Sequence, residues 1–196
     1  MSLISQNGFV GFTKQELETY RDATVPDLIG PGCRLLFVGI NPGLWTAATQ
    51  THFCHPTNRF YGSLRLAGLI DFTIDTDSGM TAEQRLAFAG SGMGITNLVS
   101  RATVRASELR ATELRDGAGR LQRLVSEVGP RVVAMAGVTA YRTAFGAPGA
   151  RLGPQEDPPL DAITWVIPNP SGLNAHETIG SLADWMSRVA GEAGIG

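Results

Sequence analysis

The sequence predicts an α/β fold, a short central parallel sheet with helices on both faces. Three observations predict it. First, the runs at 35–40, 131–137 and 163–168 are apolar without polar alternation, as in parallel strands buried on both faces. Second, these runs alternate with helical patterns, the clearest of which opens at Thr112. Third, two runs end in the same device: Gly39-Ile40-Asn41-Pro42-Gly43 and Ile167-Pro168-Asn169-Pro170-Ser171-Gly172-Leu173. If both strands are parallel in one sheet, both Asn-Pro turns open on one edge. Ligands bind at that edge in open α/β sheets.

The chain of 196 residues, 43% hydrophobic and 17% charged, suits one domain with its own core. Residues 1–196 are read as a single domain, with 1–30 an N-terminal extension carrying a short helix. Residues 1–11 read as a loose start. Thr13 and Glu16 make a capping box for a helix from about Lys14 to Arg21. Pro26 and Gly30-Pro31-Gly32 lead into the first strand. A polar, Thr-rich loop is expected from Asn41 to about Thr51. Thr57 is expected to cap a helix that turns Phe60, Leu64 and Leu66 inward. Thr81 and Gln84 form a second capping box, for a helix to about Phe88. Ile95–Val99 reads as a short strand, followed by an Arg-rich loop. The helix opened by Thr112 and Arg115 places Leu114, Leu121, Leu124 and Val128 on one face and closes at Pro130. A short helix over Val138–Phe145 follows the second strand. Residues 146–161 read as a long loop or edge hairpin, and a last helix as running from about His176 to Ala190.

Net charge is −2. This counts against a non-specific nucleic-acid binder, which is usually basic, but leaves room for local patches. Two cysteines, Cys33 and Cys54, cannot make a four-thiolate site and are expected as free thiols. His52 and His55 lack a matching carboxylate or cysteine cluster, so no metal and no cofactor is expected. Cys54 beside His55 has no orienting third group, which argues against a thiol enzyme. Ser171 is not in a Gly-x-Ser-x-Gly elbow and reads as turn chemistry. No stretch has the pattern of a signal peptide or the length of a membrane span, and an intracellular protein is expected.

Asn41 carries the most chemistry. Pro42 keeps it out of the helical region, and Gly43 permits a sharp turn or close approach. An uncharged amide is thus held just past a buried strand. Asn-Pro is also a common strand-ending turn, and spacing alone does not choose between the two.

Three separated motifs add to this reading: Gly39-Ile40-Asn41-Pro42-Gly43, then Phe53-x-His55-Pro56-x-Asn58-Arg59-Phe60, then Asn169-Pro170-Ser171-Gly172-Leu173. In this order they resemble the mismatch-specific uracil/thymine-DNA glycosylases, in the bacterial branch. The resemblance runs from about Pro31 to the last helix. It implies a three-layer αβα, uracil-DNA glycosylase-like fold, and double-stranded DNA with a mismatched or damaged base as partner. It also implies flipping of that base and hydrolysis of its bond to deoxyribose. A monomer is expected.

The resemblance assigns roles residue by residue. Asn41 holds the attacking water. Backbone N–H groups at Ile40 and Phe53 meet the base carbonyl, and Phe53 also stacks on the base. Asn97 matches a base-recognition position, where thymine-acting relatives carry Asn and the best-known bacterial form Lys. Gly172 and Leu173 match the wedge that fills the gap left by the base. Arg59, Arg101 and Arg105 are candidates for phosphate contacts. Ser100 stands where relatives have an acidic residue, and Asn174 and Ala175 where the bacterial form has serine and arginine. An amide does not titrate near neutral pH, so Asn41 orients water without deprotonating it, and a slow enzyme is expected. Lys14 is the only lysine, which predicts a monofunctional enzyme without a Schiff base. Three alternatives stay open: a glycosylase for alkylated cytosine or hypoxanthine, a non-catalytic mismatch-binding protein, and a small-molecule hydrolase.

Overall fold

A computed structural model describes residues 11–196. The loose start expected over 1–11 lies, but for Gly11, outside them. Helix α1 (Lys14–Glu18) opens with the expected capping box: Thr13 Oγ1 accepts from the Glu16 N–H, and the Glu16 carboxylate accepts from the Thr13 N–H at 2.8 Å. It stops short of Arg21. It buries none of its residues, so no packing extends it beyond its caps.

Strand β1 (Leu35–Gly39) is buried throughout. The Thr-rich stretch after Asn41, expected as a loop, contains helix α2 (Leu44–Thr49). Its Leu44 and Ala47 pack with Val25 and Ala102 in a small satellite core. Six residues give too little periodicity to be read from sequence, and tertiary packing decides their state. Helix α3 (Phe60–Leu66) begins later than a Thr57 cap would place it. Asn58 Oδ1 instead accepts from the Phe60 N–H at 3.0 Å. Phe60 and Leu64 point inward as expected, but Leu66 is 63% exposed.

Helix α4 (Ala82–Gly90) carries the Thr81–Gln84 capping box. Strand β2 (Met93–Asn97) follows. Helix α5 (Ala111–Val128) ends at Gly129 in the left-handed conformation. Then come strand β3 (Val132–Ala136), helix α6 (Val138–Phe145) and the short strand β4 (Gly153–Pro154), which pairs antiparallel with strand β5 (Ile163–Ile167) as an edge hairpin. Helix α7 (Ile179–Ala193) is capped by Thr178. It therefore starts three residues beyond His176, which lies in the preceding turn.

The sheet order is β2-β1-β3-β5-β4, parallel except for β4. Alternation sends Leu35, Phe37, Val132 and Ala134 to a core shared with Phe60, Leu64, Phe88 and Met186. Leu36, Val38, Val133 and Met135 face Leu121, Val125, Ala140 and Tyr141 on the other side. The result is the expected three-layer αβα fold. Because β1 and β5 both run parallel to the intervening β3, the two Asn-Pro turns leave the sheet at one edge. They stand roughly 10 Å apart, twice the usual strand spacing.

Helix α5 meets the end of β2 at Gly117, where an added Cβ would overlap the Leu98 carbonyl oxygen. Gly119, one turn-face away, would meet only the Arg123 guanidinium at 3.9 Å. Gly117→Ala is expected to lower unfolding free energy by about 1–3 kcal/mol. Gly119→Ala is expected to raise it by up to about 1 kcal/mol through helix propensity. Urea titrations with unchanged slopes test both.

Candidate active site

A cavity of about 590 Å³ opens at the sheet edge between the two Asn-Pro turns. Ile40, Asn41, Phe53, Asn97, Asn169 and Leu173 are among its walls. This volume is within the range of small-ligand sites.

Asn41 is held by a loop that follows β2. Its Nδ2 donates to the Pro42 carbonyl at 3.1 Å, the Arg101 carbonyl at 3.1 Å and Thr103 Oγ1 at 2.8 Å. Two of these partners are carbonyl oxygens, which only accept. They fix the sense of the amide and leave Oδ1 as its free acceptor. Thr103 is fixed in turn, since its hydroxyl donates to the Arg105 carbonyl at 2.9 Å and its N–H to the Pro42 carbonyl at 3.1 Å. The end of β1 and the 101–105 loop are thereby tied together behind the amide.

Phe53 takes a left-handed backbone conformation, φ 56°, which is costly for an aromatic residue. The turn aims its ring onto Phe60, stacked at 4.3 Å between centroids. Among the described residues, no acceptor pairs with the N–H of Ile40 or of Phe53. Asn97 ends β2 with its Oδ1 over Gly39, where a Cβ would displace it. Its Nδ2 is 2.9 Å from His52 Nδ1, and His52 Nε2 is 2.9 Å from the Pro26 carbonyl. His52 is 3% exposed. Burial lowers its pKa from the ordinary 6.5, opposed by the Pro26 carbonyl and Asp27 and reinforced by Arg85. The ring is therefore neutral at pH 7, donating from Nε2 and accepting at Nδ1.

The second Asn-Pro turn is built as a rigid loop. Asn169 Oδ1 accepts from the Ser171 N–H at 3.0 Å, and Asn174 Nδ2 donates to the Asn169 carbonyl at 3.0 Å. Ser171 Oγ accepts from the Leu173 N–H at 3.3 Å. Gly172 lies so close to Thr57 that a Cβ would overlap its side chain and carbonyl. Leu173, at the tip, is 86% exposed.

The three arginines differ. Arg59 donates to the carbonyls of Ser171 at 3.0 Å and Asn174 at 3.1 Å, so its side chain organises the loop. Arg101 is paired with Glu113 at 2.6 Å and Asp22 at 2.9 Å. Arg101, with the Arg110 N–H, holds the Glu113 carboxyl down at about 2. Arg105 is exposed on the cavity rim, with no side-chain hydrogen bond among the described residues. Ser100 and Ala175 are exposed, and Asn174 lines the cavity.

Among the described residues, none of the cavity's walls carries a carboxylate or an amine. Burial raises the pKa of both Cys33 and Cys54, which disfavours thiolate chemistry. His55, also lowered by burial, is tied to Thr57 Oγ1 at 2.9 Å. Among the described residues no His/Cys/Asp/Glu cluster has metal-binding geometry, and no helix is long and apolar enough to cross a membrane.

Residues 26–188 match the sequence profile of the Uracil DNA glycosylase superfamily. The chain belongs to that superfamily. Superfamily membership brings DNA as substrate and base release by hydrolysis as the class of reaction. The fold agrees with the solution NMR structure of a candidate uracil DNA glycosylase from Methanosarcina acetivorans. That structure aligns with a TM-score of 0.54 at 19% identity, over 84% of this chain and 95% of the other.

The contacts of four residues at or behind the cavity are not legible in the sequence. Thr103 and Thr57 act through loop contacts that no local pattern announces, and Asn58 replaces the expected Thr57 cap. For His52 the sequence offers only a pairing with His55 that no further ligand completes, and its place before the half-buried Phe53 is no signal for its bond to Asn97.

The buried His52 makes stability depend on pH. Above about pH 6.5 the ring is neutral in folded and unfolded chains alike, and its contribution is complete. Below that, the unfolded chain binds the proton first, because the folded pKa is lower, so stability falls with pH. The thermal midpoint of the wild type is expected to drop more steeply between about pH 6.5 and about pH 5 than that of His52→Gln, as followed by calorimetry.

Proposed function

We propose that the protein is a monofunctional DNA glycosylase that excises uracil from mismatched duplex DNA, in the manner of the mismatch-specific branch, at the start of base excision repair. One observation carries the reading: the Asn41 amide, locked with Oδ1 free in a cavity whose walls hold no carboxylate.

A flipped base enters beside Phe53, with Asn97 at its edge. Unpaired N–H groups at Ile40 and Phe53 support stabilisation of the departing base's negative charge, a preorganised contribution that needs no reorganisation during reaction. Asn41 Oδ1 accepts a hydrogen bond from water and so turns an oxygen lone pair toward the sugar carbon. It takes no proton, so the gain of roughly 100- to 10,000-fold from a general base is largely absent. The enzyme is then slow and favours bases that leave well or pair badly. Leu173 enters the duplex and offsets an unstacking cost of a few kcal/mol, while Arg105 meets the phosphate backbone. Lys14, the only lysine, opens α1 and is not among the cavity's walls. The product is therefore an intact strand with an abasic site.

Duplex DNA containing one G·U pair is expected to be cleaved only after hot alkali. Asn41→Ala is expected to lower the single-turnover rate by roughly 100-fold through loss of water positioning alone. No product from the wild type with duplex bound would point to a non-catalytic binder. A borohydride-trapped complex with DNA would overturn the monofunctional assignment. Leu173→Ala is expected to reduce excision from G·C-flanked sites, where unstacking is hardest, more than excision from single strands. Equal losses in both would remove the wedge role.

A further inference from the structure

His52 lies behind the cavity wall, yet its hydrogen bonds reach it. We infer that His52 is a positioning residue that sets the sense of the Asn97 amide and thereby selects bases presenting an N–H donor at the edge that Asn97 meets. This rests on the reading above that Asn97 faces the flipped base.

The Pro26 carbonyl can only accept, so His52 Nε2 carries the hydrogen. In a neutral ring Nδ1 is then bare and can only accept. Asn97 must turn its NH2 toward Nδ1, at 2.9 Å, and Oδ1 becomes the amide atom left for a ligand. Among the described residues nothing donates to that oxygen. The backbone of His52 is anchored as well, since the Tyr61 hydroxyl donates to its carbonyl at 2.7 Å. A rigid Pro26–His52–Asn97 relay thus decides the polarity of an atom at the pocket wall.

The chemical consequence is discrimination between two pyrimidine edges. Uracil-type bases present N3–H, which donates to Oδ1. Cytosine-type bases present a bare N3, which meets Oδ1 lone pair to lone pair. A buried mismatch of this kind leaves both acceptors without a donor and carries their desolvation cost. An amide free to rotate would accept either edge, because its two ends are nearly isosteric. Without the relay the pocket would keep its shape and lose much of its selectivity.

The test compares single-turnover release of 5-fluorouracil and 5-fluorocytosine, each opposite guanine, by the wild type and by His52→Leu. The leucine side chain has no polar atom, so it leaves Asn97 Nδ2 without the acceptor that His52 Nδ1 supplies. The ratio of fluorouracil to fluorocytosine rates is expected to fall by roughly 10- to 100-fold in the variant. Both rates falling together, with the ratio unchanged, overturns the role given to His52 and leaves the glycosylase reading intact. Wild-type protein that releases neither base overturns both. Nitrogen-15 NMR of the wild type gives a readout independent of any variant's folding. A His52 with hydrogen on Nε2 and a bare Nδ1 supports the relay, and hydrogen on Nδ1 overturns it.

Discussion

A carbonyl oxygen can accept a hydrogen bond and never donate one, and the site is organised around that fact. A carboxamide is nearly symmetric in shape and has no intrinsic preference for which end faces a ligand. At Asn41 the Pro42 and Arg101 carbonyls supply the preference directly. At Asn97 the Pro26 carbonyl acts at one remove, through the imidazole of His52. Each of these carbonyls belongs to a loop that is itself tied to the sheet. Thr103 N–H bonds the Pro42 carbonyl, and the Leu28 N–H bonds the Ile95 carbonyl. The sheet thus fixes amide polarity by fixing where main-chain acceptors stand.

The same constraint limits the chemistry. With Nδ2 held by acceptors, Asn41 offers an acceptor to water but no basic group, and the cavity's walls supply no carboxylate. For the proposed reaction, what remains is placement of the reactants and stabilisation of the departing base, contributions that act without proton transfer. A site of this kind gains most from a good leaving group. On the proposed reading its selectivity lies in how readily a base leaves the stack, how easily its bond to deoxyribose breaks, and which edge it shows to Asn97.

Much of this was legible in the sequence, for physical reasons. Continuous apolar runs at 35–40, 131–137 and 163–168 have one stable solution, a sheet covered on both faces, and parallel pairing then brings both Asn-Pro turns to one edge. Capping boxes at Thr13, Thr81 and the 112–128 amphipathic pattern are local signals that local energetics obeys. The misses share a cause. Helix α2 is held by the satellite core around Val25 and Ala102, and Leu66 is turned outward by packing of α3 that its own sequence does not encode. Thr103, Thr57 and His52 act across 62, 115 and 45 residues of chain respectively, with Asn41, Gly172 and Asn97 as their partners. No periodicity or spacing rule carries information over such distances. Arg59 shows the reverse case: its motif position was legible, while its use, two bonds to the wedge loop, was not.

The loop that carries Leu173 shows how an exposed leucine can be tolerated and, in the proposed wedge role, useful. Covering a leucine side chain with apolar surface is worth about 1.5–3 kcal/mol, and Leu173 forgoes most of this in the free protein. A flexible tip would fold back and recover part of it against the cavity wall. Here the Asx turn at Asn169, the Asn174 amide, the Ser171 hydroxyl and the Arg59 guanidinium fix the loop backbone. Gly172 lets it sit against Thr57. In the wedge role proposed for Leu173, little backbone entropy is then left to lose when the side chain enters a gap in stacked bases, and the burial withheld in the free protein would become available on binding. Rigidity in the loop and exposure at its tip are one design, because either alone would forfeit that free energy.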